Sequence, residues 1–221
     1  MKRGKVFQSL QRRFRSSRFT VVEKIIRDAL ELKDEVAVLD CGGRSDYWEY
    51  LPKDLRDRTR ITILNFQSEL DLYPTTQSNL QVTEVEGDAC CMPQYADKSF
   101  DLIHSNSVIE HVGSYMNMKR FADETRRVGI RYYLQTPNFW FPVDPHYAVP
   151  FFHWLPDCIQ VYLFTVVNVG YARKCEFNVA LGWVDSTKIV SAGMIRKLFP
   201  DATIRKERFL GLAKSTIAIR M

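Results

Sequence analysis

The sequence predicts an α/β fold: a doubly wound, mixed sheet with helices on both faces. Three observations predict it. Short apolar runs that read as buried strands alternate with longer stretches of helical periodicity. The first run, Val36 to Asp40, passes at once into Cys41-Gly42-Gly43, the tight turn of a parallel strand entering a helix. The last two runs are separated only by Phe209 to Lys214, a connection that permits antiparallel pairing but not a parallel crossover.

The elements follow in order. Residues 1–20 are a basic arm, with Lys2, Arg3, Lys5, Arg12, Arg13, Arg15 and Arg18 and no acid. Phe7, Leu10 and Phe14 recur in it at helical spacing, which predicts a leading helix docked on the sheet. Peripheral contact with a membrane surface, or with an acidic substrate, is the alternative use of that charge. A second stripe, Phe19, Val22, Ile25, Ile26 and Ala29–Leu30, predicts the helix before the first strand. Further strands are predicted at Ile61 to Asn65, weakly at Val82 to Glu86, then at Phe100 to His104 and Arg131 to Gln135. Val108 to Val112, Met118 to Val128 and Lys188 to Leu198 read as helical, and Ala202 to Arg208 with Ser215 to Arg220 as the closing hairpin. Residues 138–185 are an aromatic-rich insertion, irregular from Phe139 to Trp154 because proline recurs there, and mainly helical beyond. One domain over residues 1–221 is expected, since this length fills one and cramps two.

Composition removes several classes. Hydrophobic residues at 46% and charged residues at 26% are globular values, which excludes disordered and fibrous chains. No apolar run approaches the ~20 residues that span a bilayer, and the basic N-terminus lacks the apolar core of a secretory signal. The five cysteines include the adjacent pair Cys90–Cys91 and no C-x-x-C, which fits reduced thiols in the cytoplasm and predicts no metal site. The net charge of +5 resides in the arm, leaving a near-neutral body that disfavours a nucleic-acid-binding face.

The chemistry gathers at strand ends, where open α/β sheets bind ligands. Asp40, Gly42 and Gly43 end the first strand, Asn65 the second, Asp88 follows the third, and Ser105–Asn106 follow the fourth. A dinucleotide turn needs G-x-G-x-x-G, but Arg44 and Tyr47 stand where the second and third glycines belong. Asp40 and Asp46 flank the turn with negative charge, which repels phosphate and suits a cationic ligand such as S-adenosylmethionine.

At these residues the chain resembles the class I methyltransferases of the bacterial "type 11" kind. The resemblance rests on Val38-Leu39-Asp40-Cys41-Gly42-Gly43, on Gly87-Asp88-Ala89-Cys90 through Met92-Pro93, and on Ser99 to Val112 with its Glu110-His111. It implies a Rossmann-like sheet of seven strands, the last antiparallel, with S-adenosyl-L-methionine as cofactor and S-adenosyl-L-homocysteine as product. It also implies roles. Asp40 and the Gly42–Gly43 backbone would meet the methionine part and ribose, and Asp88 would be a buried acceptor for the adenine amino group, with the Ala89 N–H facing the ring. The Ser105 carbonyl and Asn106 would hold the methionine end, with Cys41 and Phe66 completing the set. Asn65 stands where the family usually has an acid bridging the ribose hydroxyls, so the bond is kept and the charge is lost.

Methyl transfer is an in-line displacement, so alignment supplies much of the rate, and an oxygen or nitrogen acceptor also benefits from a base near neutral pH. His111, His146 and His153 are the candidates. The aromatic insertion, with Asp144 among its polar groups, describes a cover over a small-molecule or glycan acceptor; a plain hydrophobic cover, or a membrane contact through Trp140 and Trp154, would use the same residues. The rivals are a non-catalytic cofactor-binding or scaffold protein on the same fold and a nicotinamide-dependent oxidoreductase.

Overall fold

The computed structural model describes residues 5–72 and 79–221, with side chains from residue 13 onward. Lys2 and Arg3 of the basic arm lie outside the described residues, as do the side chains of Lys5, Phe7, Leu10 and Arg12.

The two predicted leading stripes are one helix, α1 (Lys5–Leu30). Phe19, Val22, Ile25, Ile26 and Ala29 are its buried face. Its end is set by Arg58, whose guanidinium donates to the carbonyls of Leu30, Lys33 and Asp34, a cation on the negative end of the helix.

Seven strands then form one sheet in the order β3-β2-β1-β4-β5-β7-β6. They are β1 (Val36–Cys41), β2 (Thr59–Asn65), β3 (Gln81–Glu86), β4 (Phe100–Asn106), β5 (Gly129–Pro137), β6 (Thr203–Phe209) and β7 (Leu212–Arg220). β1 pairs in parallel with β2 and β4, β2 in parallel with β3, and β6 with β7 antiparallel as a hairpin. β1 and β4 are buried almost throughout, as apolar runs in the middle of a sheet should be, and β1 lies between two parallel neighbours. β3, the weakest in sequence, is an edge strand and has no fully buried residue. The remaining helices are α2 (Ser45–Trp48), α3 (Lys53–Arg56), α4 (Gln67–Leu72), α5 (Tyr115–Val128), α6 (Asp157–Val166), α7 (Phe177–Asp185) and α8 (Ala192–Leu198).

Two helical expectations change. Val108 to Val112 is only a one-turn 3₁₀ helix, Ile109–His111. The helix expected from Lys188 begins instead after Ser191, whose hydroxyl accepts the Met194 N–H as an N-cap. Val190 just before it is spent on a parallel bridge to Asn138.

The described chain falls into two compact units. The first holds residues up to Asn106 together with Asp123–Leu134 and Arg220–Met221; the second holds Ser107–Ala122 and Gln135–Ile219. The insertion supplies the second unit with its own core, Phe152, Val161, Phe164, Val169, Ala180 and Val184, drawn largely from α6 and α7. No helix among the described residues is long and apolar enough to cross a membrane.

Candidate active site

In the first unit, the turn after β1 is built around Asp40, which is fully buried. The Trp48 Nε1–H donates to its Oδ2 at 2.7 Å, and His104 Nδ1 lies 2.6 Å from its Oδ1. A carboxylate only accepts, so that nitrogen carries the hydrogen, and His104 Nε2 is left buried with no partner among the described residues. The His104 ring is stacked on Tyr47 and Tyr133 and meets Trp48 edge-on. Asp40 is therefore a keystone beneath the turn rather than an open acid at its rim. Desolvation holds the buried Cys41 thiol and Tyr47 hydroxyl far above their ordinary pKa values, so neither ionises near neutral pH.

Two glycines make the turn possible. Gly42 takes φ +68, the left-handed region, while its N–H donates to the Leu64 carbonyl. Gly43 lies so close to Asp40 that an added Cβ would stand 1.8 Å from Oδ2. Asn65, at the end of β2, donates from Nδ2 to the Gly43 carbonyl at 2.8 Å, which gives this amide a structural duty an acid could not perform.

The other expected cofactor residues occupy the strand ends with some differences. Asp88 is exposed, not buried, and its Oδ1 accepts the Cys90 N–H, an Asx turn that leaves the second oxygen outward. Ala89 is half-buried, and Phe66 presents its ring to solvent at 59% exposure. Ser105 is buried beside Cys41, its register partner. Asn106 Oδ1 accepts from Arg18 of α1 at 3.1 Å, a contact the sequence reading missed because 88 residues separate the two. Asp46 lies within ion-pair reach of Arg15 and Arg44, so its negative charge at the turn is largely offset. Thus two of the arm's arginines are directed at this unit's own acceptors.

The second unit holds the candidate bases. Asp144 is buried and accepts the backbone N–H groups of His146 and Tyr147. His153 has Nε2 committed as donor to the Phe139 carbonyl at 2.8 Å, with Nδ1 3.7 Å from Asp144 Oδ2. The same carbonyl accepts Trp154 Nε1–H, whereas Trp140 is 67% exposed. His111 and His146 cross edge to face, 4.9 Å between ring centroids. Desolvation, with His146 close by, depresses the His111 pKa to about 4, so this ring is neutral at pH 7, although the residue as a whole is exposed. Of the three histidines, only His153 lines the cavity of about 100 Å³ in this unit, beside Asp144, Tyr147, Gln160, Trp183 and Lys188. Lys188 pairs there with Asp157 at 2.7 Å. Glu110, which the sequence reading quoted without a role, is fully buried, and one donor atom each from Glu110, His111 and His146 lie within 4.8 Å of one another.

Comparison with known proteins bears on the fold and on the stretch that holds the Asp40 turn. Residues 40–131, from the keystone acid into β5, match the family described as "Methyltransferase domain". No curated protein matches the chain in sequence. Among solved structures, the PH0226 protein from Pyrococcus horikoshii OT3 is 12% identical, with TM-score 0.55 over 91% of this chain and 89% of that one. A SAM-dependent methyltransferase from Methanosarcina mazei is 13% identical, with TM-score 0.52 over 85% and 92%. The CurJ carbon methyltransferase is 14% identical, with TM-score 0.53 over 90% of this chain, which spans about half (52%) of that one. At such identities the likeness is one of fold.

Proposed function

We propose, from the premise that residues 40–131 carry a class I S-adenosylmethionine-dependent methyltransferase domain, that this enzyme methylates an oxygen or nitrogen of a small molecule or of the end of a glycan. The observation that carries the acceptor class is the cavity of the second unit. At about 100 Å³ it has room for roughly three water-sized groups, since each water in the liquid occupies about 30 Å³. One functional group fits there, which favours an acceptor that presents a single small polar group. Its lining mixes aromatic walls, Tyr147 and Trp183, with the polar groups of Asp144, His153 and Lys188, which suits a hydroxyl or amine.

The residues at the strand ends fit the cofactor. The bare Gly42–Gly43 backbone would lie against its methionine and ribose parts, Asp88 would use its outward oxygen on the adenine amino group, and the exposed Phe66 ring would cover a flat base. When bound, S-adenosylmethionine supplies an electrophilic methyl group. What this chain adds is alignment. Asp40, pinned by Trp48 and His104, fixes the turn, and Asn65 fixes the Gly43 carbonyl, so little reorganisation is left to the moment of reaction. None of the five cysteines forms a disulfide, which supports a reducing, cytoplasmic location.

The test is a panel of hydroxylated and amino-bearing small molecules and short glycans, scored by release of S-adenosylhomocysteine and by the position of the new methyl group. Methyl on oxygen or nitrogen is expected. Turnover should fall at least tenfold in His146→Ala while cofactor affinity stays within about twofold, because this ring is grouped with Glu110 and His111 and is none of the residues assigned to the cofactor. Methylation at carbon, or only on protein or nucleic acid, would overturn the reading, and a His146→Ala enzyme as active as its parent would remove that residue.

A further inference from the structure

Glu110 is an unusual residue to bury. It lies in the 3₁₀ turn Ile109–His111 with no exposed surface. Its Oε2 accepts the Thr136 hydroxyl at 2.9 Å, and its own carbonyl accepts the Lys188 N–H at 2.7 Å. Its Oε1 is buried and meets no donor at hydrogen-bond geometry among the described residues, although the Ser107 hydroxyl, which donates to Gln135, also acts on this carboxyl group. An unpaired buried acceptor is expensive, more so when it can carry charge, and persists where something else compensates it.

Two imidazoles lie beside the same carboxyl group. His111 follows Glu110 in the chain, and His146 comes from the insertion to cross it edge to face. One donor atom from each of the three residues falls within 4.8 Å of the others. Ligand atoms about 2.0–2.2 Å from a common ion stand roughly 3–4 Å apart, so the three atoms must draw closer by about 1 Å to bind one, and His111, an exposed residue, is the one placed to turn.

We propose that Glu110, His111 and His146 bind a divalent transition-metal ion through one carboxylate oxygen and two imidazole nitrogens. Two nitrogens and one oxygen select zinc, cobalt, manganese or ferrous iron over calcium and magnesium, which prefer all-oxygen shells. The supporting groups are of the kind metal ligands have. Thr187 Oγ1 lies 3.4 Å from His111 Nδ1 and Thr136 holds the carboxylate, while Asp144 Oδ1 lies 3.3 Å from His146 Nδ1 without hydrogen-bond geometry. Three protein ligands leave coordination positions open to solvent or to an acceptor oxygen, whose proton such an ion would make easier to lose. Metal binding is independent of which acceptor the enzyme uses.

The experiment takes the full chain, freed of metal by a chelator, and titrates it with cobalt(II) alone, followed by ligand-field absorption, and with zinc by calorimetry. One ion per chain is expected. His146→Ala and Glu110→Gln should each weaken binding about a hundredfold, with folding checked by circular dichroism. His146 is only half-buried, so its variant carries the test if Glu110→Gln fails to fold. A Cys91→Ser, Cys158→Ser double variant removes the exposed thiols and should bind as the parent does. No binding, binding unchanged in His146→Ala, or binding lost with the thiols would each overturn the proposal. Calorimetry with S-adenosylmethionine on the metal-free protein reports separately on the methyltransferase assignment.

Discussion

Gly43 is the residue whose replacement is least forgiving. A Cβ there would meet Asp40 Oδ2 at 1.8 Å and Cγ at 2.0 Å, and Asp40 cannot retreat because Trp48 and His104 hold both its oxygens. Gly43→Ala should therefore lose about 1–3 kcal/mol of stability, as overpacked sites do, and at least tenfold in S-adenosylmethionine affinity, by denaturant titration and calorimetry. Parent-like affinity in a folded variant would move the cofactor away from this turn. Asp88 is a milder case. Its Oδ1 is spent on the Cys90 N–H and the residue is exposed, so Asp88→Ala should cost about 1 kcal/mol in stability or less. If the outward oxygen receives adenine, cofactor affinity should drop about tenfold in the same variant, and an unchanged dissociation constant would place the base elsewhere. At this scale the sequence showed which residues stand at strand ends, because a strand end is a local pattern. It did not show their partners. Trp48 and His104 on Asp40, Arg18 on Asn106 and His146 beside Glu110 are made by the fold, from positions that nothing in a linear pattern connects.

Elements were legible in proportion to how strongly burial marks them. β1 and β4, apolar on both faces, announce themselves, and even β3 is found, although its alternating exposure makes it the faintest. The misreadings share a cause. Lys188 to Val190 carry the right residues for a helix, but Val190 accepts the Phe139 N–H, so the chain stays extended until Ser191 caps α8. Val108 to Val112 shrinks to a single turn because Ser107, at φ +60, turns the chain sharply and its N–H is taken by the Gln135 carbonyl. In the insertion, α6 and α7 could be anticipated only as helical in general, since what defines them is a private core. Phe164, fully buried, touches the rings of Tyr147, Phe152 and Trp183. Phe164→Ala should cost about 3–5 kcal/mol in that core. Chemical denaturation followed by tryptophan fluorescence would check it, Trp183 being in contact with the deleted ring, and a loss under 1 kcal/mol would mean the insertion has no cooperative core.

For the whole molecule, the division into two compact units gives a consequence for cofactor binding. The residues assigned to S-adenosylmethionine, from Asp40 to Asn106, all belong to the first unit, while the candidate bases and the small cavity belong to the second. The chain passes between them four times: after Asn106, within α5 at Ala122–Asp123, within β5 at Leu134–Gln135 and within β7 at Ile219–Arg220. A ligand that binds only the native state stabilises it by about 2.7 kcal/mol at a hundred times its dissociation constant. For a chain of this length each kcal/mol raises the unfolding midpoint by roughly 2–4 °C, so saturating S-adenosylmethionine should raise it by about 5–10 °C, and NADH should leave it unchanged. If this shared backbone couples the units tightly, scanning calorimetry will show one transition that moves as a whole. If it does not, two transitions will appear and only the one containing the Asp40 turn will move. A shift confined to the transition of the insertion's core, the one that Phe164→Ala lowers, would contradict the placement of the cofactor at the ends of β1, β2 and β4, because the stabilising energy must enter where the ligand is bound.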